Sequence, residues 1–154
     1  MSDIYLRKAT ASDLDITFEW ANDPETRANS FNQKPISFDE HSSWFSAKLN
    51  DDKCLIYILM AGDSPSGILR LAMGENDIHS AEISYTIAPS ERGKGLGSRL
   101  IGSITTLSEL KTYGIHTLKA SVKPENKGSQ KCFEKSGYQI AAKTDKEIVF
   151  ELKI

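Results

Sequence analysis

The chain has 154 residues, of which 39% are hydrophobic and 26% charged, a balance typical of one globular domain. Its formal net charge of −2 lacks the basic excess of a general nucleic-acid binder. Its longest apolar run, CLIYILMAG, is too short to span a membrane. We therefore expect a single domain over residues 1–154, with neither nucleic acid nor membrane as a partner.

The first half of the chain predicts one strand followed by two helices. DIYLRKAT alternates as a strand, and TASDLDITFEWAND has helical spacing behind an N-cap at Thr10 or Ser12. Pro24 should stop or redirect this first helix, and the polar residues 29–37 predict a loop. SFDEHSSWFSAKL begins with the Ser-x-x-Glu pattern of a capping box, which predicts the second helix.

The remainder of the chain predicts six strands and two helices. KCLIYILMA, SGILRLAM and SAEISYTIA, joined by the turns GDSPSG and GEND, predict an antiparallel meander. An amphipathic helix that begins near Leu96 and has its C-terminal cap at Tyr113-Gly114, the strand IHTLKASV and the helix PENKGSQKCFEKSG come next. YQIAAK and EIVFELKI predict a final hairpin. The order β-α-α-β-β-β-α-β-α-β-β predicts a layered α/β or α+β domain with a mixed sheet.

The cysteines and the N-terminal residues indicate the cellular compartment of the protein. MSDIYLRK lacks the apolar core of a signal peptide. Cys54 and Cys132 lie far apart and lack the spacing of metal ligands. We expect reduced thiols in a cytoplasmic protein without a bound metal.

The turn RGKGLG joins the strand ISYTIA to the amphipathic helix through three glycines at alternate positions. Backbone amides without side chains can converge on an anion, and a helix N-terminus adds about half a positive charge. The turn fits neither GxxxxGK[ST] nor GxGxxG, because Gly95 follows Lys94 and Ser98 takes a glycine position. It therefore predicts an anion site with Arg92, Lys94 and Arg99 as mobile cations; the alternative is a tight turn with solvated basic residues.

Two segments resemble the GNAT superfamily of N-acetyltransferases. APSERGKGLGSRLI resembles its acetyl-CoA-binding segment, and VKPENKGSQKCFEKSGY resembles its later strand-loop-helix. The resemblance implies a single GNAT domain, with a mixed central sheet and helices on both faces. It also implies a V-shaped gap between ISYTIA and LKASV for the pantetheine arm of acetyl-CoA. The coenzyme-binding residues it implies are Ile87, Ala88, Arg92, Gly93, Lys94, Gly95, Leu96, Gly97, Ser98, Asn126 and Ser129. For Asn126, a helix N-cap after Pro124 is an alternative role compatible with the first.

The implied reaction, acetyl transfer to an amine, needs a base for the amine and a proton source for the thiolate. Strand alternation places Glu82 on one face of ISYTIA, and Glu82 is the candidate base, with His79 or water as alternatives. Family members often carry a tyrosine that protonates the departing thiolate, and at the matching position this chain has Phe133. Tyr138, Tyr85 or water would then protonate the thiolate.

The N-terminal half resembles one branch of the family. FEWANDPETRANS and FDEHSSWF are similar to a branch that includes ribosomal-protein N-terminal acetyltransferases and acetyltransferases of amino-sugar nucleotides. Arg27 could pair with a substrate phosphate, and a tryptophan could stack on a base or sugar, although both tryptophans could equally anchor helices in the core. The acceptor-binding candidates are Trp20, Asn22, Arg27, His41 and Trp44.

The expected acceptor is the primary amine of a small molecule, with an amino-sugar nucleotide as one candidate. Two alternatives remain open at this point: acetylation of protein N-termini, and a non-catalytic module that binds acetyl-CoA. Both a monomer and a homodimer are compatible with the sequence.

Overall fold

Seven strands form one mixed sheet in a computed structural model that describes residues 3–154. Their order across the sheet is β1-β2-β3-β4-β5-β7-β6, and only β4 and β5 run parallel to each other. The strands are β1 (Ile4–Lys8), β2 (Cys54–Ala61), β3 (Ser64–Met73), β4 (Ser80–Ile87), β5 (Thr117–Val122), β6 (Gln139–Lys143) and β7 (Ile148–Lys153).

Helices cover both faces of this sheet, as predicted. They are α1 (Leu14–Ala21), α2 (Pro24–Ala28), α3 (Phe38–Leu49), α4 (Leu96–Ile104), α5 (Glu109–Thr112) and α6 (Lys127–Lys135). The short helix α2 is an addition to the predicted order, and the single helix predicted between Leu96 and the cap at Tyr113-Gly114 is divided into α4 and α5. Pro24 begins α2 instead of only ending α1, because the Asp23 carboxylate accepts a hydrogen bond from the Thr26 N–H at 3.2 Å and caps the new helix.

Strand alternation divides the core into two sides. Leu69, Leu71 and Ile83 belong to the larger cluster, which α4 and α6 cover. Ile58 and Ile68 point the other way and pack beneath α1 and α3. A side chain on β3 or β4 therefore meets either the α4–α6 face or the α1–α3 face, according to its parity in the strand.

Other sequence expectations concern cysteines, membranes and metals. Cys54 and Cys132 are both free thiols. The longest helix described, α3, has 12 residues, and none in residues 3–154 has the length and apolarity to cross a bilayer. Within the same residues, no cluster of three or more His, Cys, Asp or Glu side chains could hold a metal ion.

The feature of the fold that positions a site is the short pairing of β4 with β5. The two strands pair over only three positions, from Ser80 with Thr117 to Glu82 with Lys119. Beyond Glu82, β4 stays paired with β3, while β5 stays paired with β7. The two strands therefore part, and the expected opening between them is present.

An ion pair between the half-buried Arg7 and the buried Asp13 joins β1 to the turn before α1. Both guanidinium nitrogens of Arg7 donate to Asp13, at 2.8 and 2.9 Å, and the Thr10 N–H adds a third bond at 2.9 Å. The hydrogen bonds from Arg7 lower the pKa of Asp13, although burial opposes them. The carboxylate thus stabilises the fold above its unfolded pKa of 3.8, and this contribution is lost as pH falls through the lower folded value.

We expect Asp13→Asn to lower the free energy of unfolding at pH 7 by about 1–3 kcal/mol, because it breaks a charge-assisted pair. The deficit should shrink as the pH falls below about 4. Urea unfolding across this range measures it, with Asp15→Asn on exposed helix surface as the control. A deficit of equal size at pH 7 and pH 2.5 would contradict the assignment.

Candidate active site

The glycine turn leaves a row of backbone N–H groups without protein partners. Gly93 and Gly95 have φ angles of 78° and 77°, in the left-handed region that favours glycine. Within residues 3–154, no acceptor is found for the N–H groups of residues 93–98, which run from the turn into the first turn of α4. Consecutive N–H groups of this kind form a concave site for an anion, and the helix dipole adds to its positive potential.

The third glycine of the turn is required for close packing and not for its backbone conformation. A Cβ atom on Gly97 would lie 3.2 Å from the Cys132 Sγ and 3.7 Å from the Tyr85 ring. Only a residue without a side chain lets α4 approach α6 and β4 this closely. Ser98 lies at the same junction, where its hydroxyl donates to the Cys132 Sγ at 3.4 Å. Leu96 is buried in the core, so only its backbone can serve a ligand.

The basic side chains near the turn are largely engaged elsewhere, which corrects the sequence expectation. Arg92 donates to Asp23 at 2.7 Å and to Glu25 at 2.9 Å, so its guanidinium is held on α2 and its cap. Lys94 pairs with Glu91 at 2.6 Å on exposed surface. The anion site therefore depends mainly on backbone amides.

The opening between β4 and β5 exposes backbone groups of every second residue on β4. The His79 carbonyl accepts from the start of β5, whereas the Ala88 N–H donates to the Ser66 carbonyl on β3 at 2.9 Å. By alternation, the backbone groups of Tyr85 and Ile87 point toward the opening. Ile87 therefore borders the opening, whereas the N–H and the carbonyl of Ala88 are already bonded to Ser66 and Glu91.

The N-terminus of α6 borders the same opening. The Asn126 side-chain oxygen accepts from the Ser129 N–H at 3.2 Å, so Asn126 does cap the helix, and no partner within the described residues engages its amide nitrogen. Ser129 is buried, and its hydroxyl accepts a bond from the Tyr85 hydroxyl at 2.9 Å. Burial raises the pKa of Tyr85 well above its ordinary value, so the phenol stays protonated at neutral pH.

Tyr138 lies away from this opening. Its hydroxyl is buried without a partner in the described chain and borders a cavity of about 530 Å³ beside the glycine turn. That cavity is lined by Lys94, Gly95, Ser98, Arg99, Ile101, Gly102, Thr105, Lys135, Ser136, Tyr138 and Leu152. Tyr138 follows α6 and packs on Phe133, on the sheet face opposite to Glu82, so the two catalytic candidates are not brought together.

The two candidate bases lie at different positions on β4. Glu82 is exposed on the α1–α3 face, at the last position where β4 pairs with β5. The His79 imidazole instead donates from Nδ1 to the Gly114 carbonyl at 2.8 Å, outside the N-terminal end of β4. His79 thus holds the loop before β5, whereas Glu82 borders the opening.

Two of the acceptor-binding candidates are core residues. Trp20 lies on the side of α1 that faces the sheet, where it is 5% exposed and packs against β2. His41 is 4% exposed, stacks on Phe45 and lies 3.0 Å from the Thr17 hydroxyl. Burial lowers the pKa of His41, which favours its neutral form. Neither side chain is available to a substrate.

Two further candidates hold the loop between α2 and α3. The Asn22 side chain bonds both the N–H and the carbonyl of Ile36, at 2.8 and 2.7 Å. Arg27 donates to the carbonyls of Asn32 and Lys34, at 3.0 and 3.1 Å. The terminal nitrogens of Arg27 are thus turned toward its own loop in this structure, and its binding of a phosphate stays a prediction.

Trp44 is the acceptor-binding candidate with an accessible ring, at 36% exposure. The guanidinium of Arg70, a residue that the sequence did not single out, lies 5.5 Å from the centre of this ring. Arg70 also donates to the Ser84 hydroxyl on β4 at 3.2 Å. The only signal in the sequence was the position of Arg70 within an apolar strand, and its partners depend on the register between β3 and β4.

Comparisons with known proteins place the chain among acetyltransferases. A family model described as Acetyltransferase (GNAT) domain matches residues 3–139. No curated protein matches the chain in sequence.

Several solved structures share the fold. AAC(6')-Ib in complex with ribostamycin and coenzyme A is 20% identical, with a TM-score of 0.85 over 98% of this chain and 93% of that one. An N-acetyltransferase from Staphylococcus aureus Mu50 is 24% identical, with a TM-score of 0.81 over 99% of both chains. A spermidine N-acetyltransferase chimera of Vibrio cholerae SpeG and hSSAT is 19% identical, with a TM-score of 0.81 over 99% and 96%. At these identities the similarity establishes the fold.

We expect Gly95→Ala to weaken binding of coenzyme A at least tenfold, because a side chain at this φ costs about 1 kcal/mol or more and the N–H row must shift to relieve it. Calorimetry measures the affinity. Gly62→Ala is the matched control, since Gly62 also has a positive φ, of 62°, but lies in the turn between β2 and β3. Equal loss of coenzyme affinity in both variants would contradict a role for the turn in binding.

Proposed function

Because the chain belongs to the GNAT acetyltransferase family, we propose that it transfers the acetyl group of acetyl-CoA to the primary amine of a small molecule. Family membership makes it an N-acetyltransferase with acetyl-CoA as co-substrate. The observation that carries the proposal is the row of N–H groups at residues 93–98 beside the parted strands.

The row suits the pyrophosphate of the coenzyme. Its N–H groups lie at the N-terminus of α4, where negative charge is favoured, and a Cβ atom added to Gly93 or Gly95 would meet nothing within 4 Å, so the space beside them is open. The neighbouring cavity continues this positive surface through Arg99 and Lys135. We assign it to the remaining phosphate-bearing part of the coenzyme.

The pantetheine arm would follow the opening toward Glu82. Five residues separate Ile87 from Glu82, about 17 Å along an extended strand. The amide groups of the arm would meet the free backbone groups of Tyr85 and Ile87, so that the arm replaces β5 as the neighbour of β4. The side-chain amide of Asn126 is placed to contribute from the start of α6.

At the end of this path, the amine nitrogen attacks the thioester carbon, the C–S bond breaks, and the acetamide forms. Glu82 accepts the proton released by the nitrogen, directly or through water. The departing thiolate takes a proton from water or from the hydroxyl pair of Tyr85 and Ser129, because Phe133 has none to give. Tyr85 replaces Tyr138 as the tyrosine considered for this role.

The acceptor would approach from the α1–α3 face, where Trp44 and Glu82 are accessible. We propose a small molecule, with amino-sugar nucleotides as the first acceptors to test, since Trp44 could stack on a sugar or base. Similar folds include an enzyme bound to an aminoglycoside and a spermidine acetyltransferase, so small amines fit this architecture. We expect the enzyme to act in the cytoplasm, as a monomer or a homodimer.

A panel of amines tests the proposal. Release of free thiol from acetyl-CoA is measured with amino-sugar nucleotides, aminoglycosides, polyamines, and peptides with free N-termini. Turnover with at least one small amine, well above that with peptides, is the expected result. Preference for peptides would favour N-terminal acetylation, and binding of acetyl-CoA without turnover on any acceptor would indicate a non-catalytic module.

We expect Glu82→Gln to lower kcat/KM for the amine mainly at low pH, where the amine is protonated and needs a base. At high pH the amine is already neutral, and the variant should approach the wild type. Rates from pH 6 to pH 9 measure this, with the exposed Glu75→Gln as control. An unchanged pH–rate profile would remove Glu82 from the mechanism.

A further inference from the structure

We infer that the acceptor amine carries a carboxylate or phosphate group, which Arg70 binds on the α1–α3 face of the sheet. The inference rests on the proposed function, because it names the substrate class of the same site. It concerns a residue that lies outside the coenzyme-binding segments and outside the sequence-predicted acceptor residues.

The position of Arg70 is set by the sheet. Arg70 on β3 is directly opposite Ser84 on β4, and Ser84 follows Glu82, where the pairing with β5 ends, by two positions. Its guanidinium donates to the Ser84 hydroxyl at 3.2 Å and lies over the exposed Trp44 ring of α3. The cation is therefore held beside the opening, on the face opposite to the anion-binding turn.

The charge of Arg70 is not neutralised by the protein. Arg7 and Arg92 are each ion-paired with a carboxylate, and Arg27 is surrounded by backbone carbonyls. Within residues 3–154, Arg70 has neither kind of partner; its guanidinium donates to the Ser84 hydroxyl and lies beside the buried Cys54 thiol, whose pKa is raised by burial and which therefore carries no charge to neutralise it. A guanidinium has five N–H donors, so most of them remain free for a ligand.

These free N–H donors favour an anionic group, either a planar carboxylate or a tetrahedral phosphate. The cation–π contact with Trp44 and the hydrogen bond to Ser84 hold the guanidinium in place, and its other N–H groups are left for parallel bonds to a carboxylate or phosphate. Arginine holds such groups bidentately, which lysine cannot do.

Glu82 lies on the same face of the sheet as Arg70. Residues 82 and 84 are about 7 Å apart along β4, so an amine at the carboxylate and an anion at Arg70 would be separated by a similar distance. A polycationic amine without an anion would place positive charge beside Arg70, which costs free energy. The site therefore selects amines with a negative group several bonds away.

Two matched pairs of acceptors test this inference. They are glucosamine 6-phosphate with glucosamine, and 4-aminobutyrate with 4-aminobutanamide; in each pair only the anion is changed. We expect the wild type to favour the anionic member at least tenfold in kcat/KM, the effect of one charge-assisted contact. Comparison of the two pairs distinguishes phosphate from carboxylate.

Variants of Arg70 assign the preference to this residue. Arg70→Gln should abolish it through KM for the anionic member, with KM for acetyl-CoA unchanged, and Arg70→Lys should restore only part of it. Lys143→Gln, which removes one positive charge from the exposed edge strand β6, should keep the full preference. Circular dichroism and the melting temperature confirm that each variant is folded.

A binding measurement separates this inference from the proposed function. Calorimetry of the four amines with the protein saturated with coenzyme A requires no turnover. Preferential binding of the anionic members that Arg70→Gln removes would support the inference even if no amine were acetylated. Equal affinity and equal kcat/KM within both pairs, or an equal loss for both members in Arg70→Gln, would overturn it while leaving acetyl transfer intact.

Discussion

β4 keeps its hydrogen bonds to β3 along its whole length but loses β5 after Glu82. Backbone groups that lose a strand partner must be satisfied by water or by a ligand, so this parting creates a binding requirement within the sheet. The same strand ends at the turn whose N–H groups, at residues 93–98, also have no partner in the described chain. A single elongated molecule with an anionic end and amide groups satisfies both segments, which is the chemical description of the coenzyme.

The anion-binding turn is connected to the acceptor side through Arg92. Its ion pairs with Asp23 and Glu25 join the residue before the turn to α2, across 69 and 67 positions of sequence. Burial alone would raise the pKa of Asp23, but hydrogen bonds from Arg92 and from backbone N–H groups outweigh it and lower the pKa. Asp23 therefore remains a carboxylate in the neutral range. The arginine nearest the turn thus supports its position, while backbone amides supply the binding surface.

The two faces of β4 contribute different chemistry because side chains alternate along a strand. Tyr85 points toward α6, where it bonds Ser129 and borders the path of the coenzyme. Glu82 and Ser84 point toward α3, where the acceptor would bind, and Arg70 joins them from β3. The opening between β4 and β5 is where the two faces communicate.

The sequence by itself determined the order of the main elements and the anion-binding turn, whereas the opening between β4 and β5 was expected only from the resemblance to the family. The elements and the turn depend on residues close together in the chain: the period of apolar side chains, and glycines that permit left-handed φ angles before a helix. Tertiary structure alone decided which polar side chains are available to ligands. Trp20 and His41 became core residues, and Arg27 turned inward onto carbonyls of its own loop, whereas Arg70 remained free beside Trp44. The reason is that a side chain's availability depends on partners brought by strand register and helix packing, and no local pattern encodes those partners.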